Sequence, residues 1–134
     1  GKVLQVVTAE VVTSNATNST SYTGTDLQVN ITPSATSSNV LVHATFDAGY
    51  PSTNYQTHFT LYRDSTDINP HAGTGRNAFT SIGTSGGLGS DATYQNQQRH
   101  ITFYDDAINT TSQVTYRIYY SWLRCCSSFY ILSA

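Results

Sequence analysis

The sequence predicts an all-β fold: a two-sheet antiparallel β-sandwich of jelly-roll type, with about eight to ten strands. Three observations carry that prediction. Apolar and polar residues alternate with period two in run after run, the pattern of strands buried on one face. Clusters of Gly, Pro, Ser and Asn separate those runs at roughly ten-residue spacing. No window holds an apolar repeat at helical spacing. The 134 residues form one domain, 1–134, long enough to bury a substantial core.

Taken in order, the first candidate strands are VLQVVT at 3–8 and EVVT at 10–13, followed by LQVNI at 27–31. The turn cluster TPSATSSN at 32–39 leads into a clear alternation, with Val40, Val42, Ala44 and Phe46 on one face and Leu41, His43 and Thr45 on the other. DAGYPSTN at 47–54 reads as the next loop. Phe59 and Leu61 then alternate with His58, Thr60 and Tyr62, and AFTSI at 78–82 is a shorter candidate. After the flexible stretch GTSGGLGSD at 83–91, Ile101 and Phe103 alternate with His100, Thr102 and Tyr104. DAINTTSQ at 106–113 connects to the longest run, VTYRIYYSW. There Val114, Tyr116, Ile118, Tyr120 and Trp122 share one face, and Thr115, Arg117, Tyr119 and Ser121 take the other. FYIL at 129–132 is the last candidate.

Composition narrows the function. Charged residues are 10% of the chain and the net charge is −2, so hydroxyls and amides supply most of the surface polarity. The single Lys and five Arg are scattered, which leaves no basic stripe to follow a phosphate backbone and argues against nucleic acid. No apolar stretch is long enough for a membrane-spanning helix.

The stretch HFTLYRDSTDINPHAGTGR at 58–76 brings Arg63, Asp64, Ser65 and His71 close together in sequence. Those types serve hydrolases, but no strand-to-helix elbow presents the Ser. Asp64, Ser65 and Thr66 suit a side-chain-capped turn after a core strand. His43, His58, His71 and His100 lack ligand spacing, so neither a metal nor a cofactor is expected. Asp105 and Asp106 follow a strand, and adjacent strand residues face opposite ways, which suits a turn better than an acid–base pair. Cys125 and Cys126 are neighbours, a spacing that strains any bridge between them; small buried residues, a vicinal bridge and pairing between subunits all remain open. Asn15, Asn18, Asn30 and Asn109 begin Asn-x-Ser/Thr sequons, which a chain this rich in Ser and Thr generates by chance.

Ten tyrosines are the most suggestive feature, because a Tyr in a loop offers a flat ring and a hydroxyl at little entropic cost. Tyr50 and Tyr55, with His71 and Arg76 of the polar 69–76 loop, are the candidate receptor contacts. Tyr119 and Arg117, on the outer face of the longest strand, are the candidate contacts between subunits.

GKVLQVV, the Ser/Thr-rich run ending in SYTGTDLQVNITPSATSSNVLV, then FTLYRDSTDI and DAINTTSQVTYRIYY together resemble a domain common in tail-fibre and other virion proteins of marine bacteriophages. The likeness runs in order along nearly the whole chain. It implies a sandwich or jelly-roll head, trimeric, displayed on the virion surface and engaged in host recognition or particle building, with no catalytic residues to carry over. The chain departs from the family in its LRCCSSFYILSA end and in the 69–76 loop, where specificity is expected. The expected function is therefore a self-associating tail-fibre head that reads a cell-surface glycan and is not an enzyme. A capsid decoration or cement protein, or a filament subunit, is the structural alternative; its partners would be other virion proteins.

Overall fold

The computed structural model describes residues 3–17, 19–50, 56–70, 80–83, 95–122 and 125–128. Among these there is no helix, and nine strands build two antiparallel sheets packed together, as the sequence predicts. They are β1 (Ser14–Thr17), β2 (Thr23–Ile31), β3 (Val40–Tyr50), β4 (Gln56–Arg63), β5 (Thr66–Asp67), β6 (Thr80–Gly83), β7 (Gln95–Asp105), β8 (Val114–Trp122) and β9 (Cys125–Ser128). One layer has the order β2-β8-β4-β5, with β6 also paired to β4. The other is built on the long β3–β7 ribbon, and the β1–β9 pair brings β9 against β3. Successive long strands cross from layer to layer, which is the connectivity of a jelly roll.

The alternation read from the sequence becomes the core. Val42, Ala44, Phe46 and Ala48 of β3 face Phe59 and Leu61 of β4 and Tyr116, Ile118 and Tyr120 of β8, while Leu27 and Ile101 close the cluster from β2 and β7. Phe46 and Phe59 are both 0% exposed, and their rings meet at 4.8 Å with a 56° tilt. A tilted aromatic pair of this kind adds roughly 0.5–1.5 kcal/mol beyond its area burial.

At one end the layers are tied by polar groups. Asp105, the last residue of β7, accepts two hydrogen bonds from Nη1 of Arg63, both at 2.8 Å. It accepts another from the Tyr116 hydroxyl at 2.7 Å and one from the Ala107 N–H at 3.2 Å. The two-residue turn between β4 and β5 holds Asp64 at φ 55°, a left-handed conformation that Asp tolerates better than most residues. Its N–H donates to the Thr115 carbonyl at 2.8 Å, and its Oδ1 accepts from the Thr115 N–H at 2.9 Å. A carboxylate thus continues the β4–β8 ladder one step past the strand.

Two boundaries differ from expectation. Residues 3–13 alternate as a strand would, with Val7, Ala9 and Val11 half-buried, but they pair with no strand among the described residues. Periodicity alone does not make a ladder; a neighbouring edge must be present. The first paired strand is instead the polar SNAT of β1, opposite Cys125–Ser128. Second, the expected loop at 47–54 begins inside β3, because Asp47–Tyr50 pair with Gln98–Gln95. The expected strand at 129–132 lies outside the described residues.

Candidate functional site

The outer face of the β2-β8-β4 sheet carries the most distinctive chemistry, and it begins with a fault in β2. The β2–β8 register shifts between Gly24 and Gln28, which is a β-bulge. Bulges leave backbone groups without ladder partners. Here Thr25 supplies one substitute: its hydroxyl accepts from the Leu27 N–H at 3.1 Å and donates to the Ile118 carbonyl at 2.8 Å. Arg117 supplies the other, donating from Nε to the Thr25 carbonyl at 2.5 Å. That bond draws the guanidinium over β2, where only glycine leaves room. A Cβ at Gly24 would lie 2.6 Å from both Cζ and Nε of Arg117, closer than side-chain carbons approach.

Beside Arg117 lies an aromatic pair. The Tyr62 and Tyr119 rings, on neighbouring β4 and β8, stack with centroids 3.8 Å apart and planes at 19°. The Arg117 guanidinium carbon is 5.7 Å from the Tyr119 centroid, within cation–π range. Burial pushes the Tyr62 phenol above its ordinary value, and Asp67 adds to the shift. Burial raises the phenol of Tyr22, in the segment before β2, too. Thr60, between His58 and Tyr62, donates to Asp67 at 2.7 Å. Burial lowers the pKa of His58. The face therefore combines half-buried phenol rings with one pinned guanidinium.

The residues chosen from sequence separate into two groups. Tyr119 and Arg117 come together here, as outer-face neighbours on β8. Tyr50, expected in a loop, is the final residue of β3 and pairs with Gln95; its side chain, like the whole of Tyr55, His71 and Arg76, lies outside the described residues. Tyr62, Gly24 and Thr25 were not singled out by sequence. Tyr62 was visible as an outward residue of its strand, but its pairing opposite Arg117 depends on register, and Gly24 and Thr25 matter only because of the bulge.

The remaining candidates are placed as follows. Arg63 and Asp105, read as residues of two turns, form an ion pair in which the carboxylate is buried and the guanidinium partly so, with side-chain exposures of 4% and 21%. The Tyr116 phenol is held far above its ordinary pKa by burial, reinforced by its hydrogen bond to Asp105. His43 and His100 lie on the exposed face of the β3–β7 ribbon, bonded to Thr102 at 2.9 Å and Thr45 at 3.0 Å. Among the described residues, no three His, Cys, Asp or Glu side chains gather as a metal site would require. Asn15 is tied to Asp26, its amide donating at 2.8 Å and its carbonyl accepting from the Asp26 N–H. Comparison with family models, curated proteins and solved structures gives no match for this chain.

Two outcomes follow from this geometry. Gly24→Ala forces the Arg117 guanidinium off the Thr25 carbonyl and is expected to cost roughly 1–2 kcal/mol in urea unfolding; an alanine variant as stable as the parent would contradict the pinning. His58 has its folded pKa below its unfolded one, so the unfolded chain takes up that proton first as the pH falls. Its contribution to stability is complete above about pH 6.5 and is lost below it, levelling off once the folded ring also charges. Melting curves of His58→Gln should therefore fall less steeply with acid than those of the parent, and parallel acid limbs would refute the assignment.

Proposed function

We propose that this chain is a self-associating β-sandwich head of a phage-type tail fibre, displayed on a virion surface and contributing to host-surface recognition. The observation that carries the reading is the distribution of exposed apolar groups. Among the described residues, the large ones are Val3, Leu4, Val6 and Val12 of the N-terminal segment, and Leu41 and Tyr104 on the outer face of the β3–β7 ribbon. Leu41 and Tyr104 are directly paired across the ribbon and are 58% and 57% exposed. A strand-like segment that pairs with no strand among the described residues and an apolar pair on a sheet face are both features that association covers. The ordered resemblance along the chain and the small charged fraction support the same reading.

The N-terminal segment also favours a second reading, in which it anchors a capsid decoration protein to a neighbouring virion subunit. Mass measured by light scattering on the purified chain separates the two. The fibre-head reading expects a homo-oligomer, three copies by the family resemblance, and expects Leu41→Ser/Tyr104→Thr to shift the mass toward monomer while far-UV circular dichroism still shows a folded sandwich. A chain that stays monomeric at about 100 μM, a concentration at which even weak specific contacts of 10 μM affinity are mostly formed, contradicts self-association and supports decoration.

A further inference from the structure

Arg117 is held in place by its own chain, and among the described residues no carboxylate neutralises it. Its Nε is committed to the Thr25 carbonyl, its plane rests beside Tyr119, and Gly24 leaves the space it occupies. Among the described residues no carboxylate pairs with it, and Nη1 and Nη2 meet no acceptor. Arg63, by contrast, spends its guanidinium on Asp105. A fixed guanidinium with an open fork is pre-organised for a planar oxyanion, which it takes through two parallel N–H···O bonds. Little side-chain entropy is left to lose when that anion arrives.

The neighbouring surface selects among anions. Tyr62 and Tyr119 stack on each other next to the fork, so the pair offers a sugar the Tyr62 ring face turned away from Tyr119, together with phenol hydroxyls for hydrogen bonds. A single guanidinium beside the tyrosines, in a chain of net charge −2, is a poor match for a polyphosphate backbone, whose binding requires several cations. A sugar ring bearing a single carboxylate satisfies both halves of the site at once. We infer that the Arg117–Tyr119–Tyr62 face binds an acidic monosaccharide unit, a uronic or sialic acid, with its carboxylate on the Arg117 fork and its ring against the tyrosines. This inference rests on the host-surface recognition reading and names the ligand class for it. Repetition of the site in an oligomer makes weak binding at each copy sufficient.

The test uses the full chain in its native assembly. The probes are sialyllactose with its neutral parent lactose, and trigalacturonic acid with its methyl ester, titrated by calorimetry or saturation-transfer NMR at low and high salt. At least one acid is expected to bind about tenfold or more tightly than its neutral counterpart, as a charge-assisted bidentate contact implies. Arg117→Gln should abolish that difference, Arg117→Lys should restore only part of it, and Tyr62→Ala should weaken acidic and neutral sugars alike. Melting curves establish that each variant is folded; should Arg117→Gln not fold, the parent decides, since acid binding must weaken with salt while neutral binding does not. Equal affinity for acid and neutral probes, or acid binding unchanged in Arg117→Gln, overturns the inference and leaves host recognition standing if neutral sugars bind. Failure of an intact oligomer to bind either class overturns both. Dissociation of the oligomer by Arg117→Gln without any glycan effect assigns the fork to a carboxylate of a second copy, and also overturns the inference.

Discussion

The buried carboxylate of Asp105 is the constraint on which the relation between the two layers depends. It ends β7 in one layer and receives Arg63 of β4 and the hydroxyl of Tyr116 of β8 from the other. An ion pair taken out of water stabilises little unless its remaining hydrogen-bonding capacity is filled, and a single partner would leave the desolvation of Asp105 uncompensated. Here both oxygens are engaged by guanidinium, phenol and backbone N–H. The apolar core favours burial in any register that keeps Phe46 against Phe59; the Asp105 cluster discriminates between registers, because its bonds form in one only. Two layers fixed in this way also fix which side chains of β4 and β8 face outward.

That outward face is shaped by a second local irregularity. A regular β2 would leave its carbonyls in the ladder and give Arg117 no reason to cross it. The bulge after Gly24 frees the Thr25 carbonyl, and the guanidinium satisfies it at the cost of its own conformational freedom. Structure at the bulge and chemistry on the face are therefore one arrangement: the group that repairs the backbone is also the cation that lies beside Tyr119 on that face. Self-association through the β3–β7 ribbon would leave this face available, since it belongs to the opposite layer.

Much of the architecture was legible in the sequence because alternation reports burial directly. Val42–Ala44–Phe46, Phe59–Leu61 and Val114–Tyr116–Ile118–Tyr120 all face the core on the side their spacing predicted. Where the reading departed, the missing information was pairing. Val3–Thr13 has the pattern of strands but no neighbour among the described residues, whereas SNAT has little pattern and pairs through its backbone with β9. The site was half legible for the same reason. Tyr119 and Arg117 could be assigned to one outer face by parity, but their meeting with Tyr62 and Gly24 follows from the register of three strands distant in sequence. Arg63 and Asp105, forty-two positions apart, each looked like turn residues until the fold brought them together.

Asp105 joins the layers as one cooperative unit, and a double-mutant cycle in urea unfolding tests this coupling. Asp105→Asn is expected to cost roughly 3–5 kcal/mol, as loss of one partner of a buried pair does, and Tyr116→Phe roughly 1–2 kcal/mol. The double variant should cost less than their sum by about 1 kcal/mol or more, because a neutral amide at 105 accepts from the phenol without the charge assistance of the carboxylate. Costs that add to within about 0.5 kcal/mol, or an Asp105→Asn variant as stable as the parent, would contradict the claim.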